Sequence, residues 1–279
     1  GKRRGLPGPR NRRGRVTAHL DRVVGPVRIL RYGPHDDQRV EMFDATGPSR
    51  GIAVLIHGGY WRAPFTVALM HPLVPEFTAR GWTVANIEYR RGSDGWTALH
   101  EDLGAAMAAV RAEVRPAGSA PAGAPDAADE SVASVAPIAI VGHSVGGQLA
   151  LLAGREGDAI VALAPVTDLV RGYLEGIGDA AVAEFFRASP EELPDVYAAA
   201  SPMRQLPPRG DVLVVHGDDD ARVPVAHSLD YVEAARSAGA DIELVELAQL
   251  SHLDAIVPDA PHWGRVHGWL DQRIPAFSR

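Results

Sequence analysis

The sequence predicts an α/β fold: a mostly parallel sheet flanked by helices, with a small helical cap. Short apolar, β-branched runs alternate with helical stretches through most of the 279 residues, the pattern of parallel strands covered on both faces. The composition, 46% hydrophobic and 23% charged, supplies a core large enough for one such domain. About fifty residues separate two of the later strands, more than a simple crossover needs, and this surplus forms the cap.

Taken in order, the segments 23–31 and 39–43 read as an antiparallel edge. Residues 52–56 (IAVLI) form a buried strand. Residues 66–80 show helical periodicity and stop at Gly81, which suits a helix C-terminus. A strand over 82–89 and an alanine-rich helix over 97–114 follow. The stretch 116–136 has the composition of a flexible insertion and no periodicity. Strand 138–141, a helix over 145–153 and strand 159–163 come next. The cap near 165–208 contains Tyr173, Phe185, Phe186 and Tyr197. Strands 212–215 and 242–247 enclose a helix over 226–238, and 261–273 is a terminal helix. The expected organisation is a basic arm over 1–20 and a single domain over 21–279.

Bulk chemistry narrows the function. The chain has no cysteine, which excludes a disulfide framework, a thiol nucleophile and cysteine-ligated zinc. It also fits a reducing compartment, so a cytoplasmic location is expected. Net charge is −7, which disfavours polyanions, so neither nucleic acid nor membrane is expected as a partner. The arm carrying Lys2, Arg3, Arg4, Arg10, Arg12, Arg13 and Arg15 reads as solvated, with no apolar run behind it to make a signal peptide. Neither a metal nor a cofactor is expected.

The chemistry-bearing motif is Gly142-His143-Ser144-Val145-Gly146. It follows a buried strand and opens a helix, so a sharp turn would hold the Ser144 hydroxyl clear of the backbone. The helix N-terminus would direct free N–H groups at developing negative charge. Serine needs a base to take its proton. The loop after the last strand offers His252, whereas His227 and His262 fall where helices are expected. An acid to orient the base is offered after strand 212–215 by Asp218, Asp219 and Asp220, among which side-chain chemistry alone does not choose. Gly58 and Gly59 follow strand 52–56, where their N–H groups, with that of Val145, suit an oxyanion hole. Tyr60 and Trp61 come next and are expected to border the substrate, the alternative being that they simply pack the loop. Glu88, Arg90 and Arg91 read as an ion-paired brace, His143 as a packing residue beside the nucleophile, and Phe185 and Phe186 as core or pocket wall.

Together HGGYWR, IEYRR, GHSVGG, HGDDDARVP and SHLD resemble the esterase/lipase and arylformamidase (kynurenine formamidase-like) branch of the α/β-hydrolase superfamily, from about residue 50 onward. The resemblance implies the α/β-hydrolase fold and a Ser144, Asp220, His252 triad. Within HGDDDARVP it places the acid at Asp220 and leaves Asp218 and Asp219 to turn and cap work. It implies hydrolysis of small carboxylic esters or aryl formamides through an acyl-enzyme, the HGGYW motif leaning toward the formamidase-like members that cleave N-formylkynurenine. The expected partner is a small-molecule ester or amide. The alternatives are an acyltransferase or biosynthetic cyclase using the same triad, and a binding protein that kept the fold. A metal-dependent hydrolase lacks its ligand motif here, and a dehalogenase or epoxide hydrolase would need aspartate at position 144. A peptidase of the prolyl-oligopeptidase kind is disfavoured because such enzymes usually add a propeller.

Overall fold

The structure, a computed structural model, describes residues 28–114 and 138–275. The basic arm and the 116–136 insertion lie outside the described residues, as does the start of the first expected strand. Among the described residues eight strands form one sheet: β1 (Arg28–Arg31), β2 (Arg39–Phe43), β3 (Gly51–Ile56), β4 (Trp82–Ile87), β5 (Ala139–His143), β6 (Ala159–Leu163), β7 (Asp211–Gly217) and β8 (Ile242–Leu247). Their spatial order is β1-β2-β4-β3-β5-β6-β7-β8. β1 and β2 pair antiparallel, β2 runs antiparallel to β4, and the remaining neighbours are parallel. This is the α/β-hydrolase fold, and β5 lies near its middle with every residue buried.

Helices cover both faces: α1 (Val74–Ala79), α2 (Gly95–Glu113), α3 (Val145–Ala153), α7 (Ala226–Ser237) and α8 (Trp263–Arg273). Alternating side chains of the strands feed two cores. Val54, Ile56, Ile140 and Val214 face one, with Leu103 of α2 and Leu149 of α3. Leu55, Val141, Val161 and Val215 face the other, with Phe77 of α1 and Trp269 of α8. Burial on both faces explains why these strands read as continuous apolar runs.

The helix expected over 66–80 is broken. Two 3-10 turns, Val67–Leu69 and His71–Leu73, precede α1. Pro72 and Pro75 lack the N–H that a continuous helix needs, so a proline opens each of the later pieces. Between β6 and β7 lie α4 (Leu169–Glu175), α5 (Ile177–Phe186) and α6 (Pro194–Ala200). α5 contains a kink where Gly178, Asp179 and Ala180 all take left-handed φ, from 57° to 62°.

Candidate active site

The turn from β5 into α3 is geometrically extreme. Ser144 takes φ 59° and ψ −118°, a conformation that costs a non-glycine residue about 1–3 kcal/mol and persists only where the surroundings enforce it. Here the Ser144 N–H donates to the Leu163 carbonyl at 2.9 Å and the Ser144 carbonyl accepts from the Gln148 N–H at 3.1 Å, and the flanking glycines make room for the turn. A Cβ on Gly142 would fall 1.9 Å from the Gly146 carbonyl oxygen, and one on Gly146 would fall 1.9 Å from that of Ile56. Backbone cannot yield to such contacts, which accounts for the G-x-S-x-G spacing.

His252 follows β8 and is 6% exposed. Its Nδ1 lies 2.6 Å from Asp220 Oδ2. A carboxylate accepts, so Nδ1 carries the proton and Nε2 the lone pair, an assignment made from the partners. Among the described residues neither the Ser144 hydroxyl nor His252 Nε2 has a hydrogen-bond partner, as is common before a substrate binds. What ties the two loops together is His143. Its ring centroid lies 4.6 Å from that of His252, and its Nε2 donates to the His252 carbonyl at 2.8 Å. Burial, aided by the His252 ring, pushes the His143 ring down to about 3, so it is a neutral tether at neutral pH.

Of the three adjacent aspartates, Asp220 alone meets His252. Its side chain is 1% exposed. Its other oxygen accepts from the backbone N–H of Arg222 at 2.8 Å and of Val223 at 2.9 Å. Burial opposes its charge, but hydrogen bonds from His216 and His252 and the Val223 N–H outweigh burial and hold its carboxyl well below the usual range. Asp218 accepts from the Gln249 N–H at 2.6 Å and so joins the acid loop to the histidine loop. Asp219 is exposed. His216 went unremarked in the sequence. It is fully buried, donates from Nε2 toward Asp220 at 3.2 Å and to the Val223 carbonyl at 2.9 Å, and accepts from Ser228 at 2.7 Å. Its position in the HGDDD run, four residues before the acid, was the available signal.

The loop after β3 approaches the turn closely. A Cβ on Gly58 would lie 2.9 Å from Ser144 Cβ and 3.5 Å from the Val145 nitrogen. Among the described residues no protein acceptor takes the N–H of Gly58, Gly59 or Val145, so these donors are free to meet an oxyanion. Gly59, Tyr60 and Trp61 have φ of 119°, 58° and 57°, an irregular course fixed by several bonds. The Arg62 N–H donates to the Gly59 carbonyl at 2.9 Å, the Gly92 N–H to that of Trp61 at 2.8 Å, and Arg91 to that of Ala63 at 3.0 Å.

Tyr60 and Trp61 separate in role. Trp61 is 2% exposed, stacks on Phe185 at 5.6 Å and donates its indole N–H to Gln148 of α3 at 3.2 Å, so it packs the loop. Tyr60 is half-buried; its hydroxyl accepts from Arg222, and a Cβ on Gly178 of the α5 kink would come 2.4 Å from its ring. Between this loop and the end of α5 lies a cavity of about 480 Å³ lined by Tyr60, Trp61, Arg62, Phe185 and Arg187 among others. Phe185 thus serves both core and wall, while Phe186 packs on Tyr197 at 4.6 Å. Arg90 chelates Asp102 through two nitrogens, and Arg91 binds Glu88 at 2.7 Å; both are occupied by carboxylates.

Among the described residues no group of His, Asp and Glu is arranged to hold a metal ion, and no helix is long and apolar enough to cross a membrane.

Comparison with known proteins gives a match to the prolyl oligopeptidase family over residues 77–267. No curated protein sequence matches. Among solved structures, a truncated carbohydrate esterase from gut microbiota superposes with a TM-score of 0.72 at 18% identity, covering 89% of this chain and 96% of the other. A thermophilic esterase of the Planctomycetes species Thermogutta terrifontis, bound to propionate, gives 0.67 at 19% identity, with 91% and 96% covered. A putative thioesterase from Silicibacter gives 0.62 at 22% identity, with 88% and 87% covered. These likenesses establish the fold. The family match favours the peptidase alternative, disfavoured above because such enzymes usually add a propeller, and the formamidase-like branch rests on HGGYW alone.

Proposed function

The chain belongs to the prolyl oligopeptidase family, within the α/β-hydrolase superfamily, and on that premise we propose that it hydrolyses short-chain carboxylic esters and aryl formamides through an acyl-enzyme on Ser144. The observation that carries this reading is the 2.6 Å contact of His252 Nδ1 with Asp220, which leaves Nε2 unprotonated in a loop tethered beside the nucleophile turn. Ser144 Oγ attacks the carbonyl carbon as His252 Nε2 takes its proton. The negative oxygen of the tetrahedral intermediate is met by the N–H groups of Gly59 and Val145, with Gly58 beside them. Collapse expels the alcohol or amine, protonated by His252. Water, deprotonated by the same nitrogen, then releases the acid and restores Ser144. Asp220 keeps its charge throughout and stabilises the imidazolium.

Substrate size follows from the surroundings. Tyr60 and the α5 kink crowd the oxyanion loop, and the cavity beyond it is lined by Tyr60, Trp61 and Phe185 together with the charged Arg62, Glu184 and Arg187; the crowding at Tyr60 suits short acyl groups of about two to four carbons and planar leaving groups. That related esterase 2 of Thermogutta terrifontis is phosphonylated by sarin supports the expectation of a reactive serine. A second reading, cleavage of short peptide amides, is favoured by the family match itself. A panel of aryl esters of graded chain length, N-formylkynurenine and short peptide amides separates the two. The esterase reading requires kcat/KM to fall as the acyl chain lengthens beyond four carbons, by roughly ten- to two-hundredfold per unwelcome methylene. Preference for long chains, or for peptides over every ester, contradicts it.

A further inference from the structure

The mechanism uses the backbone of the Gly58-Gly59 pair, but two glycines have no side chains with which to fix the plane of the peptide between them. Behind that peptide lies a buried polar cluster outside the triad. His57 and Glu88 are both 0% exposed. His57 Nε2 lies 2.8 Å from Glu88 Oε1, and its Nδ1 lies 2.7 Å from the Gly58 carbonyl oxygen. The ring stacks on Tyr89 at 4.5 Å and 12°, whose hydroxyl donates to the His57 carbonyl at 2.7 Å. Glu88 accepts further from the Tyr89 N–H at 3.1 Å, from Arg91 at 2.7 Å and from the Val67 N–H at 3.2 Å. Burial opposes its charge, but the His57 hydrogen bond, the His57 and Arg91 charges and the Val67 N–H outweigh burial and hold its carboxyl low.

The Gly58 carbonyl and the Glu88 carboxylate both only accept, so Nδ1 donates to Gly58 while Nε2 donates to Glu88. In a planar trans peptide the C=O and the following N–H point in opposite directions. Drawing the Gly58 oxygen onto the imidazole therefore turns the Gly59 N–H away from it, and Gly58 itself packs directly against Ser144. We infer that His57 is a positioning residue: its Nδ1–H···O=C bond to Gly58 sets the peptide plane so that the Gly59 N–H meets the oxyanion, with Glu88 and Arg91 holding the ring. The inference rests on Ser144 being the nucleophile, as proposed above. It explains why so many charged contacts converge on one short loop. The same cluster that fixes the ring also holds the loop's far end, through Val67 and Ala63.

The test compares para-nitrophenyl acetate with the matching thionoester in the full chain. Sulfur in place of the carbonyl oxygen accepts hydrogen bonds poorly, so the ester-to-thionoester rate ratio reports the oxyanion donors. Replacing His57 by Phe (His57→Phe) keeps the stack on Tyr89 and removes the donor. It should lower kcat on the ester about a hundredfold with KM changed less than about twofold, and the ratio should fall toward one. His57→Gln, which retains an N–H, should recover part of both. If His57→Phe does not fold, the isosteric Glu88→Gln decides by the same measurement, a fall in the ratio supporting the inference. An unchanged ratio in a folded variant whose Ser144 still reacts with a fluorophosphonate overturns the positioning role alone. Absence of both turnover and labelling in the unmodified protein overturns it together with the hydrolase reading.

Discussion

Trp61→Ala separates the two roles open to this residue at the sequence level, and the structure sets its magnitude. The indole is 2% exposed and stacked on Phe185, so truncation to alanine leaves a cavity costing about 3–5 kcal/mol. It also leaves Gln148 Oε1, within a fully buried side chain, without its donor, adding about 1 kcal/mol. The sum is about 5 kcal/mol. For a domain of this size roughly 2–4 °C of melting temperature accompanies each kcal/mol, so a fall of about 10–20 °C is expected. Trp61→Phe keeps an aromatic face for Phe185 but loses the N–H. It should cost about 2 kcal/mol, or roughly 4–8 °C. Thermal unfolding by circular dichroism reads both, with fluorophosphonate labelling at low temperature reporting whether Ser144 stays reactive in the folded fraction. A Trp61→Ala protein melting within about 3 °C of the parent would show that the indole is not a packed element of the oxyanion loop.

Other perturbations follow from the same geometry. Ser144→Ala and His252→Ala should each lower turnover by several orders of magnitude, and the double variant should be little worse than either, because the triad acts as a unit; additive losses would contradict the assignment. Gly146→Ala, whose Cβ would meet the Ile56 carbonyl at 1.9 Å, should yield no soluble folded protein. Gly104→Ala, in α2 with no atom within 4 Å of the added Cβ, should raise stability by about 0.5–1 kcal/mol; a folded Gly146→Ala would refute the close approach. Acid should destabilise the protein through His143. Its ring is held at about 3 in the native state, while the unfolded ring takes a proton below about 6.5. Stability is therefore complete at neutral pH and declines as pH falls through that window. Asp220 acts in the same direction only below the ordinary carboxylate value of about 4. His143→Gln keeps a donor toward His252 without this titration and should unfold at a lower pH. Burial also depresses His227 and His262, so some sensitivity should remain, and an unmoved midpoint would exclude His143 as a contributor.

Much of this arrangement is legible in the chain because it is written in local terms. A strand buried on both faces must be apolar throughout, so β3, β5, β6 and β7 stand out. A turn that brings backbone within 2 Å of a missing Cβ must carry glycine, so the nucleophile turn does too. Asp220 was distinguishable from its neighbours only by likeness to other hydrolases, since its contact with His252 spans 32 residues. The roles of His57, His216 and Gln148 depend on partners brought together by the sheet, and no local period announces them. Trp61 was ambiguous for a related reason: an aromatic beside an oxyanion loop reads the same whether its ring turns to substrate or to Phe185. The break before α1 is hidden by the apolar periodicity of 66–80, and Pro72 and Pro75, each of which removes a helical donor, are its local signal.

The central claim is that Ser144 is a nucleophile activated by His252. It is tested most directly by incubating the protein with a fluorophosphonate and locating the adduct by tandem mass spectrometry. A single phosphonyl group on Ser144 is expected, absent from Ser144→Ala and formed far more slowly in His252→Ala. No adduct on the unmodified protein, or an adduct on another residue with Ser144 untouched, would contradict the account.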